Sequence, residues 1–140
     1  MKPRQDDWAA IAYVTSPVSD RTVLIRDKRP NGYLFWKLPG GMKEPWENTP
    51  EETVLRELRE ETGLVGVSTR LLCRQSRKNH DMFLFHVEVP NYDARVHIGA
   101  DGEETSLFLE SEVRGGMPDF FPSHLPLLRH TGILYQATAA

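Results

Sequence analysis

Glu57, Glu60 and Glu61 stand at i, i+3 and i+4 in the run ELREE. On a helix that turns about 100° per residue, they fall within roughly a quarter of the circumference. Like charges at these spacings repel by roughly 0.2–0.5 kcal/mol per pair on an exposed helix, and by more where water is partly excluded. A divalent cation would offset that repulsion. Carboxylate, carbonyl and water oxygens suit Mg²⁺ or Mn²⁺, and neither histidine nor cysteine is near enough in sequence to suggest zinc. The same pentapeptide without context also describes an ordinary solvated helical face.

The element that must carry these carboxylates is the clearest helix in the chain, Thr49 to Thr62. Thr49 and Glu52 match a capping box, Pro50 sits where its missing N–H costs nothing, and Gly63 supplies the stop. Val54, Leu55 and Leu58 border the acidic stripe, which predicts that it lies at the rim of a core, with Arg56 and Arg59 on the other flank.

Around the helix, Ala9–Thr15, Thr22–Arg26, Tyr33–Leu38, Val67–Cys73, Met82–Val89 and Ser106–Leu109 read as strands. Lys28–Gly32, Pro90–Asp93 and Gly99–Gly102 read as turns, Pro39-Gly40-Gly41 stops the third strand, and a loop runs on to Asn48. Ser123–Thr131 is expected to form a last helix. Strands, one strong helix, more strands and a weaker helix predict an α+β domain with helices packed on a mixed sheet.

The segment 40–64, GGMKEPWENTPEETVLRELREETGL, closely resembles the Nudix box. Gly41, Glu47, Arg56, Glu57, Leu58, Glu60, Glu61, Gly63 and Leu64 occupy the defining places, and Leu38-Pro39-Gly40 matches the usual approach. One departure is visible: Asn48 to Leu55 put eight residues between Glu47 and Arg56 where the family pattern has seven. The cap at Thr49 fixes the helix start, so the extra residue belongs in the loop around Asn48 and changes the reach of Glu47.

The resemblance implies a mixed sheet sandwiched between helices and a hydrolase of nucleoside diphosphates linked to another group, using divalent cations. Carried over by position, Glu57, Glu60, Glu61 and the backbone carbonyl of Gly41 look like metal ligands. Arg56 resembles the arginine that orients the acidic residues. A general base is wanted too; Glu57 is the choice inside the box, and Glu103 or Glu104, with Glu104 preferred, the choice in the later loop DGEET.

Arg74, Arg77, Lys78 and His80 cluster between two strands and could grip phosphates, or could simply form a basic hairpin loop. Tyr33, Phe35 and Trp36 could stack on a base, although alternating aromatics in a strand more often fill a core. Trp46 is placed to cover the site or to pack on the sheet. Phe120 and Phe121 could line a pocket or, the preferred reading, staple the last helix, and the five histidines are read as surface or satisfied residues.

The whole chain sets the limits. Its 140 residues suit one domain spanning 1–140, and a net charge of -3 disfavours long nucleic acid as a partner. The single Cys73 cannot make an intrachain disulfide, MKPRQDDW lacks the apolar stretch of a signal peptide, and no apolar run is long enough to span a membrane. A cytoplasmic monomer or homodimer acting on a small phosphorylated substrate, expected to be a nucleotide, is the resulting expectation. The alternatives are a catalytically silent nucleotide-binding module and an enzyme of modified RNA ends. No G-x-x-x-x-G-K-[ST], G-x-G-x-x-G or H-E-x-x-H motif competes.

Overall fold

The computed structural model describes residues 7–27, 35–92 and 103–135. Its strands are β1 (Trp8–Thr15), β2 (Arg21–Asp27), β3 (Trp36–Lys37), β4 (Gly40–Met42), β5 (Ser68–Ser76), β6 (Asp81–Glu88) and β7 (Glu103–Leu109). The helices are α1 (Pro50–Thr62), α2 (Glu110–Arg114) and α3 (Leu125–His130), the last preceded by a 3-10 turn at Pro122–His124. A four-stranded mixed sheet has the order β4-β1-β6-β5, and a three-stranded antiparallel sheet the order β3-β2-β7. The α+β class and the mixed sheet between helices are as expected.

β1 is central because both its faces are apolar. Ala10, Ala12 and Val14 meet Val54 and Leu58 of α1, while Ile11 and Tyr13 meet Leu127 and Leu128 of α3. The alanines beneath α1 let the helix lie close to the sheet, as the packing density of interiors demands. β1 runs parallel to β6 and antiparallel to β4.

α1 forms as its ends dictate. The Thr49 side chain accepts from the Glu52 N–H, the Glu52 side chain accepts from the Thr49 N–H, and Gly63 closes the helix in the left-handed region at φ 81°. Asn48 also donates its N–H to Glu52 Oε1 at 3.1 Å, so the extra residue of the loop is absorbed at the cap. Two side chains then dock the helix. Trp8 Nε1 donates to Thr53 Oγ1 at 2.9 Å, and Thr105 Oγ1 of β7 donates to the Glu61 carbonyl at 2.9 Å.

The structure corrects several sequence-based expectations. Gly40–Met42 is a strand, because it pairs with Ala9–Ile11, a partner no local pattern announces. The proposed loop therefore starts only after Met42. β7 begins three residues earlier than Ser106, at Glu103, and α2 follows it without a break. The last helix is split: Pro122 and Pro126 each stand at the start of a helical piece, giving the 3-10 turn and then α3. The expected turns at Lys28–Gly32 and Gly99–Gly102 lie outside the described residues, as does Tyr33. Among the described residues, no helix is long and apolar enough to cross a membrane.

Candidate active site

β4 brings two glycines against the acidic face of α1. The Gly40 N–H donates to Glu61 Oε1 at 2.8 Å, and a Cβ placed on Gly41 would stand only 2.7 Å from Glu57 Oε1. Only a residue without a side chain allows this approach of main chain to carboxylate. Glu61 is 8% exposed, and burial, reinforced by the nearby Glu57 and Glu103 charges, pushes its carboxyl up to about 9. Burial also raises Glu57, against the pull of the Arg56 guanidinium.

Arg56 organises the other side. Its Nε donates to Glu47 Oε2 at 2.7 Å, its Nη1 to Glu57 Oε1 at 3.0 Å and Glu60 Oε2 at 3.1 Å, and its Nη2 to the Met42 carbonyl at 3.1 Å. Glu47 is buried yet fully engaged, also accepting from Thr53 Oγ1 at 2.9 Å and the Glu44 N–H at 2.8 Å. Burial alone would raise its carboxyl; those donors, Arg56 foremost, hold it below the usual carboxylate range. The extra loop residue has therefore not cost Glu47 its hold on Arg56.

β7 contributes one more acid. Side chains alternate along a strand, so Thr105, which binds the Glu61 carbonyl, and Glu103 share the face toward α1. Glu103 is buried there and its charge acts on Glu57 and Glu61. Glu104 points the other way and pairs with Arg26 of β2 through Nε at 3.0 Å. Of the two acids in DGEET, the structure brings Glu103 to the glutamate patch and not Glu104. The signal lay in the strand period, once β7 starts at 103.

The cations singled out in the sequence are elsewhere. Arg74 lies three strands across the sheet from Gly41, on the rung Gly41–Ala10–Phe83–Arg74. Its Nε donates to Asp81 Oδ2 at 2.9 Å, and its guanidinium covers the Phe83 ring. Arg77 donates to Ser123 Oγ at 3.1 Å and the Ser123 carbonyl at 2.9 Å, stapling the β5–β6 turn to the 3-10 turn. Lys78 is exposed in that turn.

Besides Arg56, a cation that acts on the patch is Lys37, which sequence reasoning passed over. Its charge pulls the Glu61 carboxyl part of the way back, and its Nζ lies 5.9 Å from the Phe121 ring. Behind it, His124 is buried and accepts the Leu38 N–H on Nδ1 at 3.4 Å; burial, with Lys37 and Arg77 nearby, lowers its pKa to about 3. Trp36 packs edge-on to Phe108 with Arg26 over its other side, and Phe120 lies in the core with Leu127 and Leu128. Trp46 is exposed.

The donors along this patch are oxygens only, the chemistry that suits a hard divalent cation. Among the described residues, no three acidic, histidine or cysteine side chains are already drawn together as a coordination sphere. Arg56 holds Glu57 and Glu60, and Gly40 holds Glu61.

A layered α+β sandwich whose glycine strand meets a glutamate helix defines a recognisable class. A model of the NUDIX domain matches residues 6–129, and the chain belongs to that family. A solved structure from work on MutT of Aliivibrio salmonicida and Vibrio cholerae superposes with a TM-score of 0.71 at 18% identity, covering 94% of this chain and 98% of that one. The NUDIX domain of Shewanella oneidensis NrtR, solved with ADP ribose, gives 0.69 at 21% identity, covering 92% and 86%. A NUDIX hydrolase from Nitrosomonas europaea gives 0.66 at 19%, covering 94% and 90%. No curated protein matches the sequence.

Proposed function

We propose that this chain is a metal-dependent hydrolase of a phosphoanhydride bond in a nucleoside diphosphate linked to another group: a nucleoside triphosphate, a nucleotide sugar or a dinucleotide-like molecule. The observation that carries it is Glu61, buried on the Gly40 N–H beside Glu57 and Glu103 in a NUDIX domain. Glu57, Glu60, Glu61 and the Gly41 carbonyl would hold Mg²⁺ or Mn²⁺. A cation bound there supplies charge neutralisation at the diphosphate and a lowered pKa for the attacking water.

The side chains of this chain do the rest. Arg56 orients Glu57 and Glu60. Glu57 and Glu103, both facing Glu61, are the carboxylates in place to take a proton from water. Lys37 offers positive charge to the phosphates, whereas Arg74 is engaged by Asp81 and Arg77 by Ser123. The reading takes the chain as one cytoplasmic domain.

A panel of nucleoside triphosphates, nucleoside diphosphate sugars and dinucleoside polyphosphates, assayed with and without Mg²⁺, tests it. Metal-dependent release of phosphate or pyrophosphate, lost in Glu61→Gln, is expected, and silence across the panel rejects the hydrolase. One observation favours a second reading, a nucleotide-binding module without turnover: Arg56 and Gly40 already occupy the glutamates that a metal would need. That reading expects saturable nucleotide binding by calorimetry, and any measurable product sinks it.

A further inference from the structure

A polar cleft lies on the face of the four-stranded sheet opposite α1, near the far end of β1. Its floor is one rung across three strands, Tyr13 of β1, His86 of β6 and Arg70 of β5, which stand side by side in register. Thr15, two residues beyond Tyr13 on the same face, is joined to His86 Nε2 at 2.6 Å. Gly41 pairs with Ala10. At about 3.3 Å per residue, Thr15 is roughly 17 Å further along the strand, and on the other side of it.

α2 forms one wall. Glu110 and Arg114, one turn apart, both face the cavity, and the loop after α3, Thr131 to Ile133, closes the end. The cleft is open to solvent and its volume is about 320 Å³, at the lower end of the range for small-molecule sites. Glu110 accepts the Tyr13 hydroxyl at 2.8 Å, and Arg114 is fixed by its Nε to the Ile133 carbonyl at 3.0 Å and by its guanidinium over the Tyr135 ring. Arg70 is exposed.

Among the residues that line this cleft, two guanidiniums against one carboxylate leave one net positive charge, with Glu88 acting on His86 from outside the lining and burial lowering the imidazole pKa. The arginine fork matches a planar oxyanion, while the Tyr13 hydroxyl is committed to Glu110 and the Thr15 hydroxyl to His86. Leu72 and Ile133 give the walls an apolar portion. We infer that this cavity is a binding site, separate from the glutamate patch, for a small organic molecule carrying one carboxylate on an apolar body. A monoanion matches the single net charge of the lining better than a phosphate dianion does.

The test uses metal-free protein carrying Glu61→Gln, so that the glutamate patch is silent, with benzoate as the probe and inorganic phosphate as its rival. Saturable benzoate-induced shifts in the nuclear magnetic resonances of Thr15, His86 and Gly132 are expected. Arg70→Gln, at an exposed position, should weaken benzoate by about tenfold, the loss of one charge-assisted hydrogen bond. Failure of millimolar benzoate to shift these resonances overturns the inference. Binding of phosphate with benzoate silent overturns it too, as does benzoate binding that Arg70→Gln leaves unchanged.

Discussion

At the residue scale, the two neighbouring glycines of β4 serve different ends. Gly40 holds φ at 152°, and a Cβ there would lie 2.2 Å from the Ala10 carbonyl oxygen, so the obstacle is main chain. A Cβ on Gly41 meets only the movable end of Glu57. Gly40→Ala is therefore expected to cost about 3 kcal/mol or more in a urea titration. Gly41→Ala should keep its thermal midpoint within about 2 °C, while turnover on whatever substrate the panel identifies falls about tenfold as Glu57 is displaced. Equal losses of stability in the two variants would contradict this division. The glutamates were readable in advance because i, i+3, i+4 spacing needs only the helix. Lys37 was not, because what places it beside Glu61 is the fold between them.

At the element scale, α1 is the part of the molecule whose sequence carries its own boundaries. Thr49, Pro50, Glu52 and Gly63 act through bonds to neighbours within a few residues, so the helix could be read to its ends. β4 and the start of β7 could not, since short strands exist only by virtue of partners far along the chain. Thr49→Ala removes the acceptor of the Glu52 N–H and should lower stability by about 1 kcal/mol in chemical denaturation. An unchanged midpoint would show that Glu52, which also accepts from Asn48 and Thr49, holds the loop alone.

At the scale of the whole molecule, His124 links the 3-10 turn to the segment that leads into β4. Its pKa is lowered from the ordinary 6.5 to about 3 by burial, with Lys37 and Arg77 adding to the effect. The unfolded chain thus binds a proton in a window where the native protein does not. Stability from this group is complete above about 6.5 and drains as pH falls toward 3, at about 1.4 kcal/mol per pH unit. The stability penalty of His124→Asn should accordingly narrow as pH drops from neutral to about 4.5. A penalty that does not change with pH would show that His124 is not buried as the neutral imidazole. The class of fold followed from element types alone; the division into two sheets, which sets β3, β2 and β7 apart, rests on pairings that no stretch of sequence spells out.

The parallel pairing of β1 with β6 also has a bearing on how the chain comes into being. β1 is buried on both faces, and one of its two sheet neighbours is made only after the glutamate helix and β5. During synthesis it must wait as an apolar strand with an open edge, the kind of segment that invites association with other chains. Among the described strands, β1 is thus made before the partner that completes it, and its folding waits on β6.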